Sequence, residues 1–355
     1  MTRGGDSERG LTRSILLTLA AVLAVDAAFV VLLALLARPW LDGPAAAVGV
    51  PVAVPVALVA VGALVGLVWL QFRYTRREAL AEVDAVVVDE TDRPELYDRL
   101  GRLARQADVR RPELAVTAST VPNSFTVGAP DNAVVVVSEG LLETLPDDEL
   151  DAVLAHELAH VKNRDAAVMT LAGFLPALAS DRSVLVEVGG DGARVGTWLV
   201  GALLLYPLGA AAIAAPLGSL RYTAVFVGVL LATAVFGSVA LGLLSAPVLV
   251  LARRLSRFRE FAADRGGALT VGEPATLAGA LRRLDDTVEA PRRDRRSITG
   301  TDGVRGFCLM PYGFETEPDA ADEFNIEWRS HPPVEERIDR LGDVAADLET
   351  HRRAQ

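Results

Sequence analysis

The chain has 355 residues, 51% of them hydrophobic, yet 23% are charged, and its mean hydropathy is +0.32. That average is too apolar for an ordinary soluble domain and fits membrane segments joined to a water-exposed part. The formal net charge of −11 speaks against nucleic acid as a partner, because phosphate binding needs basic patches. The single cysteine, Cys308, excludes an intrachain disulfide and a thiolate metal site.

Residues 1–13 are polar, and 15–37 are almost wholly apolar apart from Asp26. A bilayer crossing takes ~20 such residues, so 15–37 predicts a first span. The run is longer than the ~7–15 residues of a cleavable signal, so it is read as retained. Residues 48–72 predict a second span, with Pro51 and Pro55 near its start, where a helix tolerates proline best. From Glu78 to about Arg164 the chain reads as soluble. Leu96, Leu100, Leu103 and Ala104 recur at helical spacing over 94–106. Residues 113–117 and 133–137 read as strands, the second a buried β-branched run. Pro122 makes 121–128 an edge strand or a loop. A helix is expected over 147–163, opened by Pro146 and Asp147.

Three apolar stretches follow, at 166–179, 195–220 and 222–251. The last two are long enough to span, and together they form a hairpin that returns the chain to the side it left. The first would extend the 147–163 helix along or partly into the membrane. Arg73, Arg76 and Arg77 flank the second span, and Arg253, Arg254, Arg257 and Arg259 flank the fourth. The intervening loops carry Arg38 and Arg221 alone, so both termini and the soluble part should face the cytoplasm. Residues 275–284 are amphipathic, 286–325 read as a mobile loop, and His331-Pro332-Pro333 opens a last helix containing Ile338 and Leu341.

The chemistry concentrates in His156-Glu157-Leu158-Ala159-His160. On a helix, positions i and i+4 share a face, so both imidazoles can reach one ion. Neutral imidazole is a preferred zinc ligand. Glu157 is turned about 100° away, which suits a general base acting on a water whose pKa zinc lowers to roughly 7. With 4 histidines in the chain, chance is a poor account of this spacing. A catalytic zinc takes three protein ligands and one open position, and no third histidine is near. Glu260 and Asp264 stand at i and i+4 after the fourth span. Glu260 could be the third ligand with Asp264 orienting a histidine. Spacing alone leaves equally open that both are solvated carboxylates paired with nearby arginines.

These elements together resemble the HtpX-type membrane zinc metalloproteases, relatives of the CAAX prenyl endopeptidases. The resemblance is carried by Pro122-Asn123-Ser124-Phe125, the His156–His160 motif with Asn163-Arg164-Asp165, and Ser256-Arg257-x-Arg259-Glu260-x-x-Ala263-Asp264. The late His331-Pro332-Pro333-x-Glu335-x-Arg337 completes it, and the order is the family's. The resemblance implies one zinc ion per chain, held by His156, His160 and Glu260. It makes Glu157 the catalytic base and Asp264 the partner of a ligating histidine. It implies that the strand holding Asn123 and Phe125 pairs with an extended substrate. It offers His331 or Arg337 as oxyanion donor. A helix cap for His331 and a structural ion pair for Arg337 are the alternatives. Ser124 and Thr126 stand where the family often has alanine, a departure expected to matter little.

The expected protein is thus a mainly α membrane protein with four transmembrane helices and a cytoplasmic, zincin-like α+β metalloprotease domain carrying a small edge-exposed sheet. Residues 1–77 would form the tail and two spans, 78–194 the first part of the protease domain, 195–251 the hairpin, and 252–355 the second part. It would be a multi-pass cell-membrane zinc endopeptidase that degrades misfolded or damaged membrane proteins as a stress response. Its partners would be protein substrates and the lipid bilayer, with homo-oligomerisation left open. The alternatives are a processing protease for specific, for instance prenylated, substrates and a non-catalytic zinc-binding scaffold.

Overall fold

The computed structural model describes residues 3–36, 38–128, 131–165, 202–203, 205–207, 209–211, 213–287, 308–310 and 332–353. The chain divides into two compact units. One holds residues 3–19, 72–165 and the described residues from 251 on; the other holds residues 20–71 and the described residues leading up to 250. The protein is mainly helical with one small mixed sheet.

In the second unit, α1 (Arg3–Leu36) contributes an apolar run at Leu16–Leu36. A short α2 (Arg38–Val48) follows, and α3 (Ala53–Glu82) is apolar over Ala53–Gly66. The second apolar helix therefore starts at Ala53, not at 48. Gly49 takes a left-handed φ of 74°, which ends α2, and Pro51 keeps the next residues from extending it. Among the described residues two helices are long and apolar enough to cross a membrane, α1 and a later one, α7 (Leu220–Val271). The stretch 166–179 and residues 195–201 lie outside the described residues; further along 195–220, Gly209–Ala211 form a short 3-10 turn, and Leu220, expected to close the third span, opens α7 instead. Leu58, Val61, Val65 and Trp69 on α3 and Leu231, Phe236 and Leu243 on α7 are exposed. So many large apolar side chains on adjoining turns mark surfaces made for a non-aqueous neighbour.

Helix α7 is 52 residues long with Pro247 inside it, and its sequence holds both the 222–251 apolar stretch and Glu260.

The first unit contains the sheet, in the order β1 (Val86–Val88), β2 (Glu113–Thr117), β4 (Val134–Ser138), β3 (Ser124–Val127). β2 and β4 are parallel, and the outer pairs are antiparallel. The four consecutive valines of β4 are explained by burial on both faces. Val135 and Val137 join Leu114 and Val116 in the larger core with α4 (Pro94–Ala107), α5 (Glu139–Thr144), α6 (Asp147–Asn163), α8 (Pro274–Thr287) and α9 (Val334–Arg353). Val134 and Val136 turn the other way, onto Phe125, Val127, Ala79 and Cys308. Cys308 is a fully buried core residue.

The close approach of α6 and α7 depends on glycine. A Cβ at Gly267 would lie 2.7 Å from the His156 backbone nitrogen, and one at Gly266 would lie 2.9 Å from the Ala159 Cβ. Glu260, Asp264 and Gly267 stand at i, i+4 and i+7, so the stripe that approaches α6 also carries the two carboxylates. Gly267→Ala is expected to force the helices apart and lower stability by ~1–3 kcal/mol, the usual cost of overpacking. Thermal unfolding of the purified protein in detergent would read this as a fall of several degrees in Tm.

Candidate metal centre

Helix α6 begins with Asp147, Asp148 and Glu149 in its first turn, where carboxylates suit the positive end of the helix dipole. It is tied to α8 by Glu149, whose two oxygens take 2.7 and 3.1 Å hydrogen bonds from Arg283. It is tied to α4 by Asp151, which pairs with Arg99 and Arg102. Everything from Ala152 to Val161 is buried. Its third and fourth turns therefore present His156 and His160 to the interior, one above the other. Their rings meet edge to face with centroids 4.7 Å apart, and their Nε2 atoms are 3.0 Å apart.

Each imidazole has a carboxylate at its other nitrogen. His160 Nδ1 lies 2.6 Å from Asp165 Oδ2. His156 Nδ1 lies 3.0 Å from Asp264 Oδ1, somewhat off the line of an ideal N–H···O bond. Carboxylates accept, so the proton of each neutral ring belongs on Nδ1, and both Nε2 lone pairs face inward. Glu260 completes the group, with Oε2 3.8 Å from His156 Nε2 and Oε1 3.8 Å from His160 Nε2. The three ligand atoms lie within 4.8 Å of one another and all three residues are buried. Two lone pairs and a carboxylate aimed at one point repel unless a cation lies between them. The donor set of two imidazoles and one carboxylate fits a metal ion with one position left open.

A further layer of charge fixes this group. Arg337, 1% exposed, grips Asp264 with Nε at 2.9 Å and Nη2 at 2.6 Å. Its Nη1 donates to the Leu309 carbonyl at 2.8 Å, and Nη2 lies 3.6 Å from Glu260. Burial pushes the Arg337 guanidinium down, but the Asp264 carboxylate outweighs this and holds it above its ordinary value. Arg337 thus forms a buried ion pair with Asp264. Asp165 in turn lies 3.2 Å from Arg259 Nε. Burial pushes the His160 imidazolium down, while the hydrogen bond and charge of Asp165, with Glu260, raise it overall.

Glu157, next to His156 on α6, has its carboxylate against β3. Ser124 Oγ donates to Glu157 Oε1 at 2.7 Å, and Thr126 Oγ1 donates to Oε2 at 2.7 Å. The two hydroxyls expected to matter little thus hold both oxygens of the candidate base.

At the stretch where Asn123 and Phe125 were expected to pair with substrate, the chain pairs with itself. β3 is the last strand of the sheet, but its outer edge is not bare. Leu309 N–H donates to the Ser124 carbonyl at 2.8 Å, and Phe125 bridges to Cys308 in antiparallel fashion. The Asn123 amide donates to the Met310 carbonyl at 3.1 Å and accepts from the Met310 N–H at 3.0 Å. Phe125 is fully buried. An apolar Cys308-Leu309-Met310 segment thus makes, from within the chain, the backbone contacts assigned to a substrate. His331 lies outside the described residues, as does most of 286–325.

Asp165 and Arg259 acquire roles that the sequence reading did not assign. The signal was present but indirect. Arg164 adopts a left-handed φ of 58°, with its N–H on the His160 and Val161 carbonyls, and this turn folds Asp165 back onto His160.

A family model described as Peptidase family M48 matches residues 90–345. A protease HtpX homolog 2 of Methanosarcina acetivorans is 33% identical over 297 residues, covering 82% of this chain and 85% of its own length. A protease HtpX homolog 1 of Streptomyces coelicolor is 35% identical over 282 residues, covering 78% and 80%. A protease HtpX homolog of Pyrococcus abyssi is 35% identical over 271 residues, covering 76% and 80%.

Asp165→Asn is expected to loosen the orientation of His160 and weaken metal affinity ~10–100-fold. Competition with a chromophoric chelator would measure it. Arg337→Ala leaves Asp264 buried without its counter-charge and is expected to cost ~3–5 kcal/mol. Thermal or denaturant unfolding would show that loss even in metal-stripped protein.

Proposed function

The chain belongs to peptidase family M48 and is a membrane metalloprotease, and we propose that its metal is zinc and its role the removal of misfolded or damaged membrane proteins. The observation that carries the zinc reading is the convergence of His156 Nε2, His160 Nε2 and Glu260 on one buried point. Both ring protons face carboxylates on the far side. Zinc held there would supply an activated water and polarise the scissile carbonyl.

The rest of the mechanism belongs to the chain's own residues. Glu157 accepts a proton from the attacking water and returns it to the nitrogen of the leaving amine, so atoms and charge balance over the hydrolysis. Asp264 and Asp165 hold the two imidazoles in the Nδ1–H tautomer. Arg337 keeps Asp264 ionised despite its burial.

The exposed apolar faces of α1, α3 and α7 support integration in a membrane; the reading of four spans with the catalytic unit and both termini in the cytoplasm rests on the apolar stretches of the sequence and their flanking arginines. Substrates would then be proteins in or at the same bilayer. The net charge of −11 does not favour nucleic acid as a partner.

Glu157→Gln is expected to lower peptide-bond cleavage ~10²–10⁴-fold with metal content unchanged. Chelation should abolish cleavage and stoichiometric zinc should restore it. X-ray absorption of the zinc-loaded protein should find two imidazole nitrogens and one carboxylate oxygen at about 2.0–2.2 Å, the carboxylate lost in Glu260→Ala. Unchanged proteolysis, self-cleavage included, in a zinc-loaded E157Q protein would sink the catalytic reading. A panel of unfolded membrane proteins assayed beside a prenylated peptide tests the substrate class, and cleavage of the peptide alone would replace quality control with dedicated processing.

A further inference from the structure

Ser124 and Thr126 stand at i and i+2 on β3, so their side chains share one face of the strand. That face lies against α6, and both hydroxyls end on one carboxylate, Ser124 on Oε1 and Thr126 on Oε2, each at 2.7 Å. All three residues are buried. Thr126 Oγ1 is also 3.3 Å from the Glu157 carbonyl, so its hydroxyl is held at the root and the tip of the same residue. Phe125 between them belongs to the opposite core, which locks the strand against rotation about its own axis. The strand's register is set by Ser124 opposite Val137 and Thr126 opposite Val135.

A glutamate carboxylate rotates about a broad terminal torsion that burial alone does not fix. One donor would leave that plane free to swing. Two donors from a rigid strand, one to each oxygen, define both its position and its plane. Proton transfer needs the base within hydrogen-bond reach of the water, and a displacement of 1 Å can cost ~10²-fold in rate.

We propose that Ser124 and Thr126 are positioning residues for Glu157, fixing the base against β3 so that it is aligned before substrate arrives. The inference rests on Glu157 acting as the general base. It has a corollary for substrate. The Ser124 carbonyl that takes the Leu309 N–H belongs to the same residue that holds Oε1, so whatever pairs with β3 is placed in register with the base.

The test uses the full-length, zinc-loaded protein and the unfolded substrate that the parent cleaves best. S124A and T126V are each expected to lower kcat about 10-fold, and together about 100-fold, with KM and zinc content within about twofold of the parent. T126S restores the hydroxyl without the methyl and is expected to bring kcat back to within about threefold. A second readout is independent of activity. In metal-stripped protein T126V is expected to lower Tm by about 4 °C, and to have no such effect in an E157A background, where the hydroxyl has lost its acceptor. If T126S falls as far as T126V, the residue serves packing and the inference is overturned. Parental kcat in the S124A/T126V double variant beside an inactive E157Q overturns it too, while leaving the general base in place. A fully active E157Q instead removes the reading on which the inference stands. Loss of zinc or of the folded state in step with kcat would also refute a positioning role.

Discussion

The approach of α7 to α6 is the constraint on which the rest of the site depends. Two imidazoles one turn apart make a pincer, but a third ligand must come from elsewhere, and here it comes from a residue 100 positions further on. The helices can close only because Gly266 and Gly267 put no side chain against Ala159 and the His156 backbone. Two turns before Gly267 on the same stripe sits Glu260, and between them Asp264 reaches His156. One face of one helix therefore provides the close contact, the third ligand and the histidine partner.

That arrangement buries several charges, and burial of unpaired charge is costly. The charges are arranged as chains. Arg337 neutralises Asp264, which faces His156; Arg259 neutralises Asp165, which faces His160. Each imidazole is backed by a carboxylate and each carboxylate by an arginine. The two chains meet where both Nε2 atoms face Glu260. A divalent cation is the charge that this convergence lacks, which is why the donor set argues for a metal on physical grounds.

The strand β3 links this centre to two other demands. Its side chains hold Glu157 on one face, and its outer backbone edge carries the Cys308–Met310 segment. Asn123 gives that segment both its donor and its acceptor, as a peptide backbone would. An extended substrate at the same stretch would have to take over contacts that the chain now makes with itself. The holders of the base and the edge that pairs with Cys308–Met310 are thus parts of one strand.

The sequence by itself determined the local parts of this protein. The His156–His160 spacing specified the pincer, because helical periodicity depends only on neighbours. The valine run of β4 and the leucine stripe of α4 specified burial for the same reason, and the acidic opening of α6 marked its first turn. Resemblance added Glu260 and Asp264, which spacing alone had left as likely as solvated carboxylates to serve any other role. Tertiary structure decided what depends on contacts between distant segments. It turned Ser124 and Thr126 from incidental departures into holders of Glu157, gave Asp165 its task through a left-handed residue at the end of α6, and placed Arg337 in an ion pair. It also filled the edge of β3 from a segment some 180 residues away. Hydrogen bonds of that kind leave no periodic trace in a sequence, since either partner alone looks like an ordinary polar residue.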